Sequence, residues 1–333
     1  MTININRNAL IAVVSAEIII ILMLITAIVA IQINHSSAGE DIALSKKLIP
    51  HAVAAHRGAS FYAPENTLPA FALAREYGAD YIECDLQRTS DGVPVIFHDA
   101  DMSRTTDAAK KFRGREKDGI GTFSYSEVAS LDAGTWFIKT YPLRARESYK
   151  GVRVSTLEEC IDAAGNTALM IELKNPSLYP GIEQQTADML RAKGRLRRAA
   201  SGTPDMVLSF DIESLRRMRC AAPEIKLMYL VNSRHGKSNA WDSRGWNGLL
   251  DDAAAIGAEI GASSQLGRPW YNERAHRKDL IIANWTVDAK WQMRLLSFSG
   301  MDWVITNRCD LALDYYGSEP AETADEILTK LGF

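Results

Sequence analysis

Between residues 52 and 306 the chain alternates short apolar runs with stretches whose apolar positions recur at helical spacing. The apolar runs fall at 52–57, 81–87, 93–98, 168–173, 206–210, 226–231, 259–264, 281–287 and 302–306. These nine candidate strands exceed by one the number in a (β/α)8 barrel. The second and third are joined only by Arg88 to Gly92, far short of the dozen or more residues that a parallel crossover needs. The third run therefore returns antiparallel through a turn at Ser90-Asp91-Gly92, as a hairpin excursion, and eight parallel strands remain. Eight β-α units in roughly 270 residues predict a closed α/β barrel of the TIM type, whose site lies at the C-terminal ends of its strands. A doubly wound open sheet is the alternative, but no GxGxxG follows the first strand.

The barrel is expected over 52–317, with residues 100–152, charged and weakly periodic, as a small insertion after the hairpin. Residues 318–333 read as a tail helix and 35–51 as a polar connector. Ahead of them, Ala9 to Ile33 is apolar except at Ser15, Glu17, Thr26 and Gln32, long enough to cross a bilayer core of about 30 Å. Its Ile, Leu and Val contribute about −6 kcal/mol to insertion, against roughly +3 kcal/mol if Glu17 sits at the centre. A cleaved signal peptide is the rival reading, with Ser36-Ser37-Ala38 as the small-residue site, but the run exceeds the usual signal core. Residues 1–34 are thus expected to be a single-pass anchor in the inner membrane, with the barrel on the exported side.

The composition, 47% hydrophobic and 24% charged, supports an ample core. A net charge of −3 with scattered Lys and Arg leaves no basic field for nucleic acid, and nothing points to a protein partner. Four cysteines, Cys84, Cys160, Cys220 and Cys309, form no CxxC pair, which argues against zinc and thioredoxin chemistry. Export permits disulfides without selecting a pairing, and Cys84 reads as a buried thiol facing a helix.

One strand carries the chemistry. In 81–87, YIECDLQ, alternation puts Ile82, Cys84 and Leu86 on one face and Tyr81, Glu83, Asp85 and Gln87 on the other. Carboxylates at i and i+2 lie about 6.6 Å apart, and at an effective dielectric of about 20 they repel by about 2.5 kcal/mol. Something cationic must relieve that. Glu172 points inward from the next parallel strand, so Glu83, Asp85 and Glu172 form an all-oxygen set suited to one Ca²⁺ or Mg²⁺ rather than zinc. Arg57 and Lys174 are fixed cations beside it. His56 closes the first strand and His98 the hairpin; two imidazoles flanking a metal suit general acid and base on a phosphodiester. The residues alone leave open which histidine is the base.

The motifs His56-Arg57-Gly58, Pro64-Glu65-Asn66-Thr67, Glu83-Cys84-Asp85, Asp91-Gly92 with His98-Asp99, Glu172-Leu173-Lys174 and Trp285-Thr286-Val287, in this order over about 52–315, resemble the signature of glycerophosphodiester phosphodiesterases. The resemblance implies a barrel related to phosphatidylinositol-specific phospholipases and hydrolysis of glycerophosphodiesters to glycerol 3-phosphate and an alcohol. It implies Ca²⁺ or Mg²⁺ on Glu83, Asp85 and Glu172, with His56 and His98 as the acid/base pair; the glycerol 2-hydroxyl has been considered as an internal nucleophile in that family. Three positions depart from the pattern: Asn307 stands where Asp is usual, with Cys309 in place of Pro, and Asp288 replaces a common Asn.

Plainer roles stand beside these. The acidic set could be a salt-bridged barrel layer; Glu65, Asn66 and Thr67 could cap the helix starting near Leu68; Asp99 reads as a loop-orienting residue. His35, His51, His235 and His276 read as surface residues. Trp285 is expected as a wall for the glycerol moiety. Tyr125, Trp136, Phe137 and Tyr141 of the insertion, with Trp241, Trp246, Trp270 and Tyr271, either pack locally or accommodate an acyl chain. The second choice would make the enzyme a lysophospholipase D-type lipid phosphodiesterase acting on lysophospholipids. A non-catalytic head-group-binding barrel is the remaining reading.

Overall fold

A computed structural model describes residues 14–15, 17–23, 26, 38–196, 202–232 and 245–333. Its strands are β1 (Val53–Ala55), β2 (Tyr81–Arg88), β3 (Pro94–Ile96), β4 (Ala168–Leu173), β5 (Met206–Ser209), β6 (Lys226–Val231), β7 (Ala258–Ser263), β8 (Ile282–Trp285) and β9 (Trp303–Thr306). All neighbours pair in parallel except β2 with β3, which is antiparallel, and the β1–β9 and β1–β2 pairings close the sheet. Eight parallel strands thus form a closed TIM-type barrel, and β3 is the excursion that the short 88–92 link requires. Its turn is held by Gly92 N–H donating to Thr89 O at 3.0 Å and by Thr89 Oγ1 donating to Asp91 Oδ1 at 2.6 Å.

Side-chain alternation sorts the core into two parts. Ile82, Cys84 and Leu86 join the large cluster between strands and helices. Tyr81 lies in the second cluster, with Met170, Met206, Met228 and Trp303. The four cysteines are free thiols, and Cys84 is buried in the same cluster as Cys160 of the helix Leu157–Ala164.

The segment read as a connector is more than a linker. Residues 38–45 are helical, and Ile42, Ala43 and Leu48 join the inner cluster at the strands' N-terminal end. Lys46 pairs with the buried Glu259 at 2.9 Å, and Trp303 Nε1 donates to Ile49 O at 2.7 Å. A polar sequence hid this because only a few apolar positions, Ile42, Ala43, Leu48 and Ile49, pack against one end of the barrel. Among the described residues no helix is long and apolar enough to cross a membrane. Most of the 9–33 run expected as an anchor lies outside the described residues; of those described, 14–15, 17–23 and 26 are helical and exposed.

The insertion folds as short helical turns around its own aromatic core, with Phe123, Phe137 and Tyr149 fully buried. The tail helix Ala324–Lys330 starts with a capping box between Thr323 and Glu326, and Arg146 of the insertion ties it down through Thr329 Oγ1 at 2.7 Å and Phe333 O at 2.9 Å.

Gly58 shows how local geometry positions the site. It sits at φ +78°, and a Cβ there would lie 2.6 Å from the backbone carbon of Ala70 in the helix Leu68–Glu76. The turn after His56-Arg57 can pass this helix only without a side chain. Gly58→Ala is expected to destabilise the protein by roughly 1–3 kcal/mol, read as a lower urea midpoint; an unchanged midpoint would show that the turn can shift.

Candidate active site

The β2–β4 register places Asp85 directly opposite Glu172, with Glu83 two residues earlier on the same face of β2. One oxygen of each lies within 4.8 Å of the others. All three residues are buried, Asp85 completely. Burial, reinforced by Asp85 and Glu172, pushes Glu83 well above the ordinary carboxylate range. Glu172 is also raised, chiefly by burial. Burial works against the charge on Asp85 too, but Lys174 and then Arg57 outweigh it and hold this carboxyl below its usual range. Asp85 Oδ1 is buried and accepts no hydrogen bond. An orphaned oxygen among three converging carboxylates fits a hard divalent cation, which takes oxygen ligands.

The cations stand where relief of the repulsion requires them. Lys174 Nζ lies 2.8 Å from Glu172 and 3.6 Å from Asp85. Arg57, at φ +57°, donates its backbone N–H to Glu83 at 2.7 Å, and its guanidinium reaches Asp85 at 3.3 Å and Glu65 at 2.7 Å. A left-handed non-glycine conformation is costly unless its surroundings hold it, and these partners do so.

His98 Nδ1 lies 2.7 Å from Asp99 Oδ1. Arg104 then joins Asp99, at 2.5 Å, to Glu65, at 2.6 Å. A continuous ion-pair chain thus runs from Asp85 through Arg57, Glu65, Arg104 and Asp99 to His98, coupling both sides of the site. His56 follows β1, and its Nδ1 lies 2.7 Å from Asn307 Oδ1. Burial, then the neighbouring Arg57, pulls the His56 imidazole down to about 3.

A cavity of about 120 Å³ is lined by His56, Arg57, Glu83, His98, Glu172 and Lys174 on one side. Phe210, Trp285 and Leu230 are among the apolar residues lining the same cavity. Seven of the eight residues singled out in the sequence therefore share one pocket, and Asp85 touches it through Arg57 and Lys174. Trp285 is held edge-on to Phe210 at 5.6 Å, with Nε1 donating to Gly261 O at 2.9 Å. A larger cleft of about 630 Å³ lies between the insertion and the tail, but none of the eight lines it.

Some sequence readings change. Asn66 and Thr67 make no side-chain cap to the helix Leu68–Glu76. Asn66 instead donates to Asp85 Oδ2 at 2.8 Å, from a left-handed backbone at φ +59°, and Thr67 donates to Pro64 O at 2.6 Å. His276 is not a surface residue: it is buried with Nε2 2.9 Å from Asp302. His51 stacks on Tyr316 at 5.5 Å, while His35 and His235 lie outside the described residues. Of the aromatics proposed for an acyl chain, none lines the catalytic cavity. Phe137 is core, Tyr125, Trp136 and Tyr141 pack against it, Trp246 and Tyr271 contact each other at 5.0 Å, Trp270 is exposed and Trp241 lies outside the described residues. Arg104 was missed because nothing in its local sequence distinguishes it from the other charges of the insertion.

Residues 56–311, which contain all eight candidate site residues, match the Glycerophosphoryl diester phosphodiesterase family. The chain belongs to that family. The glycerophosphodiester phosphodiesterase of Bacillus subtilis (strain 168) is 32% identical over 259 residues, covering 77% of this chain and 83% of its own. The enzyme of the same name from Caldanaerobacter subterraneus subsp. tengcongensis is 31% identical over 265 residues, 77% of this chain and 93% of its own. The solved glycerophosphodiester phosphodiesterase from Agrobacterium tumefaciens superimposes with a TM-score of 0.60 at 27% identity, covering 79% of this chain and 99% of that one. The fold also matches an Oleispira antarctica phosphodiesterase solved with the product sn-glycerol-3-phosphate, with a TM-score of 0.65, 24% identity and 81% and 98% coverage. The family activity, phosphodiester hydrolysis, accordingly belongs to this chain.

Proposed function

We propose that this glycerophosphodiester phosphodiesterase performs metal-dependent hydrolysis to glycerol 3-phosphate and an alcohol, by general acid/base catalysis. The observation that carries the reading is the convergence of three buried carboxylates beside one cavity lined by two fixed cations and two imidazoles whose Nδ1 atoms are each held from outside. Glu83, Asp85 and Glu172 would hold one Ca²⁺ or Mg²⁺, which when bound supplies Lewis-acid polarisation of a phosphoryl oxygen. Arg57 and Lys174 bind the nonbridging oxygens by charge-assisted hydrogen bonds. His56, kept neutral by burial, accepts the proton of the attacking hydroxyl. His98, oriented by Asp99 at 2.7 Å, gives its proton to the leaving alkoxide as the phosphorus–oxygen bond breaks. One water is consumed overall. Trp285 and Phe210 form the apolar wall against which the glycerol carbons rest.

An enzyme-coupled assay for glycerol 3-phosphate, run over deacylated phospholipids with different head groups and titrated with Ca²⁺ and Mg²⁺, is expected to show release from at least one of them. No release from any substrate at any metal concentration would overturn the reading.

We also propose that the 9–33 run anchors the chain in the inner membrane with the barrel exported; its support is the length and apolarity of the sequence. The full chain is expected to stay with membranes through alkaline carbonate extraction and to be protease-accessible in spheroplasts. An intact chain in the carbonate supernatant would refute the anchor.

A further inference from the structure

His56 follows β1 and Asn307 follows β9, and the β1–β9 register, with Ala55 opposite Thr306, sets the two side chains together. The amide of Asn307 is engaged at both ends. Its Nδ2 donates to Asp288 Oδ2 at 2.7 Å, and its Oδ1 lies 2.7 Å from His56 Nδ1. Asp288 is itself fixed, because its Oδ1 accepts from Asn307 N at 2.8 Å and from Thr306 Oγ1 at 3.1 Å. These contacts decide where a proton sits. A carboxylate only accepts, so the amide nitrogen must face Asp288 and the amide oxygen must face the imidazole. An amide oxygen also only accepts, so the ring nitrogen opposite it carries hydrogen. Ser60 Oγ, 2.9 Å from the same oxygen, is a second donor to it and leaves this polarity unchanged.

We infer that Asp288 and Asn307 form a positioning relay that locks His56 in the tautomer protonated on Nδ1, leaving Nε2 free to accept a proton. The inference rests on the acid/base reading of the site and deepens it, since a His56 fixed in this tautomer can begin the cycle only as the base. Asp288 acts at a distance: it never meets the imidazole, but it dictates which way the amide between them points. Two of the departures noted in the sequence, Asp288 and Asn307, are therefore the two ends of one hydrogen bond. With the carboxylate set one bond away, the imidazole meets a neutral acceptor, in keeping with its burial.

The test uses the full chain with its metal. In Asp288→Asn the oxygen stays on the Asn307 N–H and Thr306 Oγ1, so the new amide nitrogen faces Asn307, turns its amide oxygen away from His56 and reverses the tautomer preference. The expected result is a kcat lower by at least about tenfold at unchanged KM, since a wrong histidine tautomer can cost a hydrolase up to about 10⁴-fold. Asn307→Asp sets two carboxylates face to face and is expected to be impaired as well. The double exchange Asp288→Asn with Asn307→Asp restores one carboxylate against one amide and is expected to recover most of kcat. Imidazole ¹⁵N spectra of the unliganded protein read the tautomer without turnover: His56 is expected to bear hydrogen on Nδ1 in the wild type and to shift it towards Nε2 in Asp288→Asn. Wild-type kcat in Asp288→Asn, a double variant no better than the single ones, or a wild-type His56 protonated on Nε2 would each overturn the relay. Failure of the proposed reaction is distinct from all of these, because it shows as absence of turnover in the wild type while the spectra remain readable.

Discussion

His98→Ala is expected to lower kcat by about 10²–10⁴-fold, the usual contribution of one general acid or base, while the urea unfolding midpoint stays near that of the wild type. His98 is about a third exposed and its only side-chain hydrogen bond is to Asp99, so its removal leaves no buried group unpaired. His56→Ala is expected to cost a similar factor in kcat with some loss of stability, because its ring is half-buried and removing it leaves Asn307 Oδ1 without that partner. The two effects separate by leaving group. An aryl ester of glycerol phosphate releases a phenol acidic enough to depart unprotonated, so it needs no acid but still needs a base. His98→Ala should therefore regain much of its rate on the aryl ester and His56→Ala should not. Rescue of His56→Ala instead would exchange the two roles, and wild-type turnover in either variant on the natural ester would remove that residue from the mechanism.

The parts of this molecule that were legible in the sequence are those that a short-range rule decides. The five-residue link at 88–92 cannot support a parallel crossover, so β3 had to be antiparallel. Period-two alternation in β2 fixed which side chains face inward, and the chemistry of three inward carboxylates followed from it. What stayed hidden depends on chain segments meeting far from one another in sequence. Asn66 sits just before a helix, where Asn is a common cap, and only its left-handed backbone turns the amide away from that helix onto Asp85. Arg104 matters because Glu65 and Asp99 converge on it from 39 and 5 residues away. His276 looked solvated because its partner, Asp302, enters from the base of the neighbouring strand β9. That carboxylate belongs to a pattern that is also invisible locally: Asp80, Asp205, Glu259 and Asp302 each accept a backbone N–H from an adjacent strand or its leading residue at the barrel floor.

Chelation is expected to abolish turnover, and added Ca²⁺ or Mg²⁺ to restore it, with the strength of restoration rising with pH. The direction follows from the carboxyls themselves. Glu83 and Glu172 are both raised by burial, so without a cation they hold protons to higher pH than ordinary carboxyls do, and a metal must displace them. Apparent affinity therefore increases as pH rises through their raised values and flattens above them. Stability carries the matching sign. A carboxyl whose folded value is raised contributes stability below its unfolded value and loses that contribution as pH climbs through the folded one. Asp85 is shifted the other way by Lys174 and Arg57, so it stays charged throughout and its contribution falls only in stronger acid. Metal-free protein should consequently gain more in melting temperature from added cation at about pH 8 than at about pH 5. Asp85→Asn should blunt that gain, because it removes charge from the carboxylate whose Oδ1 has no other hydrogen-bond partner. Full activity after exhaustive chelation, or a thermal shift equal at both pH values, would mean that the carboxylate triad is a charge-balanced layer with Arg57 and Lys174 and not a metal site.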